Sequence, residues 1–155
     1  MPQPTADLYD EFGEELQSVW TQFRSFGGVA DFSGPVRTVR CFEDNALLKE
    51  VVSTPGDGAV LVIDGGGSLE RALMGDQIAL LAAQNGWAGV VINGAIRDQV
   101  AISRIELGVK ALGTNPRKST KERTGEVDVE VEFSGVRFRP GATLYSDLDG
   151  ILVER

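Results

Sequence analysis

Three consecutive segments, AVLVIDGGGS (residues 59–68), GDQIALLAAQNG (75–86) and AGVVINGAIRD (88–98), read as strand, helix and strand. Ala59–Ile63 and Ala88–Ile92 are short, unbroken apolar runs, the pattern of strands covered on both faces. Gly75 to Asn85 reads as a helix that Gly86 stops. Asp64-Gly65-Gly66-Gly67-Ser68 reads as a tight strand-to-helix turn. It lacks the spacing and the lysine of a P-loop, and it is not GxGxxG. Asn93-Gly94 reads as a second turn, leading to Arg97-Asp98.

Toward the N-terminus, Asp44 or Asn45 caps a helix with Leu47, Leu48, Val51 and Val52 at helical spacing, ended by Pro55-Gly56. Gly34-Pro35 opens a strand over Val36–Phe42. Thr5 caps a short helix through Phe12, with Asp7 in its first turn. Leu16–Phe26 fits helix or strand, and Gly27-Gly28 breaks it. Past Asp98, Leu107–Leu112 is apolar again. Val127, Val129, Val131 and Phe133 alternate with Asp128, Glu130 and Glu132, as in a half-exposed strand. Ser134-Gly135 turns it into Val136–Arg139, a hairpin. Pro140-Gly141 and Asp149-Gly150 punctuate two more short strands. The order β-α-β-α-β followed by antiparallel strands predicts an α/β fold with mixed sheets and flanking helices, in one domain over residues 1–155.

Composition narrows the function. At 155 residues and a formal net charge of -8, the chain is acidic overall, which disfavours direct nucleic-acid binding. The basic run Arg117, Lys118, Lys121 and Arg123 is short and diluted by Glu122 and Glu126. Cys41 is the one cysteine and is expected to be a buried, inert thiol. No apolar run is long enough to span a membrane and the N-terminus has no signal-peptide core, so a cytoplasmic location is expected. Histidine is absent, which removes the commonest general base and metal ligand; any metal must sit on oxygens, which favours magnesium, manganese or calcium. Lys49, Lys110, Lys118 and Lys121 show no desolvated context, leaving a Schiff-base mechanism little support.

Geometry singles out one edge of the sheet. A helix of about ten residues advances about 15 Å, and the strand after it returns about 17 Å over about five residues. Asp76 and Arg97-Asp98 should therefore share the carboxyl edge of the strands, where open α/β sheets place ligands. The amides of Gln77 and Ile78 are free donors at a helix start and attract a carboxylate or phosphate. Arg97 can clamp the same carboxylate, and Asp98 can hold a hard divalent cation with waters completing its shell. A small α-keto acid suits this set. Taken singly, Asp76 also reads as a plain helix cap, and Arg97-Asp98 as a surface ion pair or the start of the next helix.

Asp76, twenty residues, then Arg97-Asp98 resembles the signature of the RraA-like family, which includes 4-hydroxy-4-methyl-2-oxoglutarate (HMG) aldolases and the regulator of ribonuclease activity A. Thr5-Ala-Asp-Leu-Tyr-Asp, Phe32-Ser-Gly-Pro, Cys41-Phe-Glu-Asp-Asn, Val62-Ile-Asp-Gly-Gly-Gly-Ser-Leu and Ala111-Leu-Gly-Thr-Asn-Pro-Arg-Lys-Ser extend the resemblance over nearly the whole chain. It implies a swivelling β/β/α domain, assembled as a homotrimer or a dimer of trimers, and a magnesium or manganese ion. It implies that Asp98 binds the metal, that Arg97 binds substrate, and that Gly75, Asp76, Gln77 and Ile78 form the loop whose amides bind it.

The activity so implied is carbon–carbon cleavage releasing pyruvate, by retro-aldol reaction of HMG-type substrates and decarboxylation of oxaloacetate. Asp76 and Arg97 are the expected catalytic residues. Without histidine, the base for the substrate hydroxyl falls to a water, either on the metal or linked to Asp76. Longer aldolases carry extra C-terminal residues that place acidic groups near a neighbouring subunit's site, whereas this sequence ends at Arg155. Decarboxylation, which needs no such base, is therefore the activity expected to survive if aldol cleavage is poor. The alternative is a regulator that inhibits a ribonuclease by binding that protein, without physiological catalysis. A menaquinone-pathway methyltransferase, a historical label in the family, is set aside because no S-adenosylmethionine motif is visible.

Overall fold

The computed structural model describes residues 3–155. The chain runs α1 (Thr5–Phe12), a 3-10 turn (Gly13–Glu15), β1 (Leu16–Val19), β2 (Arg24–Ser25), β3 (Phe32–Arg40), α2 (Ala46–Val52), β4 (Val60–Asp64), β5 (Ala72–Met74), α3 (Asp76–Gln84) and β6 (Gly89–Ile96). It continues through α4 (Gln99–Ile102), β7 (Gly108–Thr114), β8 (Glu126–Val127), β9 (Val131–Phe133), β10 (Val136–Phe138), β11 (Thr143–Asp147) and β12 (Gly150–Glu154).

The two apolar runs are adjacent parallel strands at the centre of the main sheet. Its order is β1-β12-β11-β3-β4-β6-β7-β2, parallel from β3 to β7. Alternate residues of β4 face opposite layers, which is why the run has no polar face. Leu61 and Ile63 pack with Leu48, Val52, Ala79 and Ala82 of α2 and α3. Val60 and Val62 pack with Val131, Phe138, Leu144 and Val153 of the antiparallel strands. The layers are thus antiparallel strands, central parallel sheet and helices, the swivelling β/β/α arrangement.

β3 joins the two parts of the main sheet. Residues Phe32 to Pro35 pair antiparallel with β11, and Val36 to Arg40 pair parallel with β4. At its start the Phe32 ring lies across Gly89 and Gly108. A Cβ at either position would come within 2.4 or 2.1 Å of the ring, so only glycine lets these strands pass beneath it.

Several expectations are corrected. Thr5 is the first residue of α1 and not its cap; Pro4 holds that position, and Thr5 N and Oγ1 donate to the Asp147 carboxylate at 2.8 and 2.7 Å. Leu16–Phe26 resolves into β1 and β2. The Gly65–Gly67 turn leads into β5, not directly into a helix. Asn93-Gly94 is not a turn: β6 runs through it to Ile96, with an irregular register between Ile92 and Ala95. The Val127–Phe133 segment is broken at Asp128, whose backbone is left-handed (φ 56°), a conformation aspartate tolerates better than most residues. Its alternation of burial nevertheless persists through Phe133.

Lys110 also departs from expectation. It is 2 % exposed, and its Nζ donates to the Asp147 carbonyl at 2.6 Å. Burial lowers its pKa, with the nearby Asp147 charge opposing. Cys41 is buried, and its thiol is pushed up to about 12 by burial and by the Asp44 and Asp64 charges. Among the described residues, no helix is long and apolar enough to cross a membrane.

Candidate functional site

Asp76 and Arg97-Asp98 do lie at one edge, and β5 is the element that brings them together. It pairs parallel to β6, with Met74 beside Ile96, so α3 starts where β6 ends. Arg97 N donates to Met74 O at 3.0 Å. Asp98 then takes a left-handed backbone (φ 61°) at the start of α4, which turns its carboxylate back toward α3. Asp76 N donates to Asp98 Oδ2 at 3.1 Å.

Gly75 caps α3 with no side-chain hydrogen bond. Its hydrogen is required there: a Cβ would stand 2.7 Å from Asp98 Oδ2 and 3.4 Å from Arg97 Cγ. Ala79 N bonds back to Gly75 O at 3.1 Å, so the amides of Gln77 and Ile78 precede the first helical bond and remain the open donors of the first turn. Ile78 contributes only its backbone, because its side chain is in the core. Arg97 is half-buried and its Nη1 reaches Pro116 O at 3.4 Å. Asp98 is exposed.

Arg97 and Asp98 form a ridge between two clefts. One, of about 320 Å³, is lined by Gln99, Thr114, Asn115 and Pro116. The other, of about 140 Å³, holds Gly75, Asp76, Gln77 and Ile78 and adds Asn45, Lys49, Ala72, Lys118 and Lys121. A larger cleft of about 690 Å³, near Phe12, Leu16 and Tyr145, has none of these groups.

Asn45, Lys49, Lys118 and Lys121 were not foreseen as part of the site. Asn45 is 7 % exposed; its Nδ2 donates to Leu73 O at 3.0 Å, and Lys121 Nζ donates to its Oδ1 at 3.3 Å. The loop carrying Lys118 and Lys121 is fastened by Ser119, whose Oγ donates to Ala72 O at 2.7 Å, and by Asp44. The Asp44 carboxylate accepts from Thr120 Oγ1 at 2.7 Å and from the amides of Glu122, Arg123 and Ala46. Burial opposes its charge, but these four donors outweigh burial and hold its carboxyl below the usual carboxylate range. The signal for Lys118 and Lys121 was the basic run over residues 117–123, of which these two line the cleft.

The Gly65–Gly67 turn offers no donors to a ligand. Gly65 N and Gly67 N both donate to Asn93 O at 3.1 Å, and Gly66 N donates to Asp64 Oδ1 at 3.0 Å. Among the described residues, no three His, Cys, Asp or Glu side chains converge as a metal-binding group. Asp98 still suits a hard divalent cation as a lone protein carboxylate: it is exposed, and only Oδ2 accepts from the backbone among the described residues. Magnesium commonly binds this way, keeping most of its waters.

Fold and cleft together define a β/β/α domain with a cationic cleft at the carboxyl edge of its parallel sheet. A family model for RraA-like proteins, described as Aldolase/RraA, matches residues 5–153, and the chain belongs to the RraA-like family. It is similar to a solved structure described as the S-adenosylmethionine:2-dimethylmenaquinone methyltransferase of Geobacillus kaustophilus: 50 % identity, 98 % of this chain and 94 % of that one, TM-score 0.96. It is equally close in fold to the RNA-processing inhibitor RraA of Thermus thermophilis, at 47 % identity over 99 % of this chain and 93 % of that one, TM-score 0.96. Streptomyces coelicolor RraAS2, described as an unusual member of the RNase ES inhibitor RraA family, matches at 25 % identity over 97 % and 78 %, TM-score 0.79.

Proposed function

We propose that this chain is a divalent-metal-dependent lyase that releases pyruvate from α-keto acids, by decarboxylating oxaloacetate and by retro-aldol cleavage of HMG-type substrates. The observation that supports this is the meeting of the Asp98 carboxylate, the Arg97 guanidinium and the first-turn amides of α3 at one edge. Gln77 and Ile78 N–H hold the carboxylate beside the keto group, and Arg97 grips it from the other side. Asp98 would hold magnesium or manganese, which supplies positive charge against the negative charge developing on the keto oxygen. In both reactions the C3–C4 bond breaks and its electrons pass into the pyruvate enolate. Decarboxylation releases carbon dioxide and needs no base. Retro-aldol cleavage also needs the C4 hydroxyl proton removed, and Asp76 orients a water for this. The enolate then takes a proton at C3.

The test is pyruvate release from HMG and from oxaloacetate, coupled to lactate dehydrogenase, with magnesium or with EDTA. Arg97→Ala and Asp98→Ala are each expected to lower the metal-dependent rate about 100-fold. The variants are needed because free metal decarboxylates oxaloacetate. A parent rate no better than the variants' would exclude lyase chemistry on these substrates.

A second reading, a protein-binding inhibitor of a ribonuclease, is supported by the likeness to the Thermus inhibitor. It predicts that Arg97→Ala and Asp98→Ala leave capture of a ribonuclease unchanged. The two readings are compatible.

A further inference from the structure

Two polar side chains are buried in the seam where the antiparallel layer meets the central sheet. Ser146 stands opposite Phe32 of β3 and Ile151 of β12. Side chains directly opposite one another share a face of the sheet, so the Ser146 hydroxyl points into the seam with these two apolar residues. From the other side, the Phe32 ring lies over Gly108 of β7. Lys110 is two residues further along β7, hence on the same face, in register with buried Val91 of β6. Its ammonium reaches the carbonyl of Asp147, the residue that follows Ser146. Serine and lysine thus enter one seam from its two sides, beside Phe32 and apart from the clefts at Arg97 and Asp98.

The protein satisfies neither of them fully. Ser146 is 3 % exposed, and its Oγ is the one buried side-chain oxygen or nitrogen without a hydrogen-bond partner among the described residues. The Lys110 ammonium has three N–H donors to place, and among the described residues the Asp147 carbonyl is its one acceptor. Buried donors and hydroxyls left unpaired are costly, and the register neighbours Phe32, Ile151 and Val91 have nothing to offer them. What meets both needs is a small group that accepts from the ammonium and also bonds the hydroxyl. An anion is disfavoured, because the Asp147 charge already acts on this ammonium. A water has both capacities.

We infer that Lys110 Nζ and Ser146 Oγ hold one buried water, which bridges the central sheet to the antiparallel layer beside Phe32. The water accepts from the ammonium and donates to Ser146 Oγ. Buried waters held by otherwise unsatisfied polar groups are part of the structure and costly to remove. The inference does not rest on the keto-acid reading.

Urea denaturation and a crystal structure test it. Ser146→Ala takes one partner from the water, so its denaturation midpoint should fall below the parent's. Were the hydroxyl a true orphan, the same change would raise the midpoint. Ser146→Val fills the water's place and sets a methyl against the ammonium, and should lower the midpoint further. With Lys110→Met in the same chain no ammonium is stranded, and Ser146→Val should then raise the midpoint. A crystal structure of the parent, at a resolution that orders waters, should show one water within about 2.7–3.2 Å of both Nζ and Oγ. Ser146→Ala at or above the parent's midpoint would overturn the inference, as would an equal loss from Ser146→Val with and without Lys110. So would a direct bond between Ser146 and Lys110, or a seam without density between them. If Lys110→Met does not fold, the parent crystal structure and Ser146→Ala decide.

Discussion

Asp44 fastens the loop that carries Lys118 and Lys121, although it does not itself line the cleft. It is 1 % exposed and gathers four donors from two segments nearly 80 residues apart. Asp44→Asn replaces one acceptor oxygen with an NH2 donor that faces other donors, and should cost about 2–3 kcal/mol at pH 7. The native carboxyl sits below its unfolded pKa, so its ionised form contributes stability above about pH 4, and that contribution fades as pH falls through the native value. Denaturation of parent and variant should therefore differ clearly at pH 7 and much less at pH 3. A difference constant with pH would count against this account. The sequence offered Asp44 or Asn45 as a helix cap, and Asn45 holds the cap position. What no local reading reveals is that the Asp44 carboxylate, besides accepting from Ala46 N at the start of α2, also takes donors from Thr120, Glu122 and Arg123. Lys110 was obscured in the same way: nothing in Gly108-Val-Lys-Ala shows that β11 will cover its ammonium.

Among the elements, β4, α3 and β6 were legible because each carries its own signal: an unbroken apolar run, a glycine stop, a length that fits. β5 was not, since three residues are too few to show any period, and its role is purely positional. It holds the start of α3 against the end of β6. Gly75 is the point where that alignment is tightest. Its φ of -113° suits any residue, so the cost of Gly75→Ala falls on the contact and not on the backbone. The added methyl must displace Asp98 and Arg97. Under the proposed function, pyruvate release should fall at least tenfold while the thermal midpoint moves little. A variant of full activity would mean that the Asp98 carboxylate is not held against Gly75 in the working protein. The break at Asp128 was illegible for a different reason: its inward and outward alternation is the same in one strand or two, and only the backbone reversal separates them.

In the whole molecule, the layers meet at Phe32, whose ring is seated on Gly89 and Gly108. Gly108→Ala would drive a methyl into that ring and should destabilise the protein by about 1–3 kcal/mol, measurable by urea denaturation. Trimming the ring in the same variant (Phe32→Leu) should recover part of the loss, because the two changes share one contact. Additive losses would show that the clash is relieved elsewhere. That the parallel strands need cover on both faces was legible in their unbroken apolar runs, whereas the order of the layers was only what the family resemblance implied. Within the cleft, the meeting of Asp76 with Arg97 followed from element lengths, whereas Asn45 and Lys118 did not, because they reach it from distant segments.

The division of β3 between β11 and β4 bears on synthesis. Its second half meets β4 soon after residues 60–64 emerge, but its first half must wait for residues 143–147. Throughout that interval the growing chain presents a bare strand edge, a template for stray pairing with another nascent copy. Pro35 stands in that edge and offers no N–H. Replacing it with valine would leave the finished protein much the same but give the unfinished one a stickier seam, so the loss should appear in the yield of soluble protein during expression and not in the stability of what is purified.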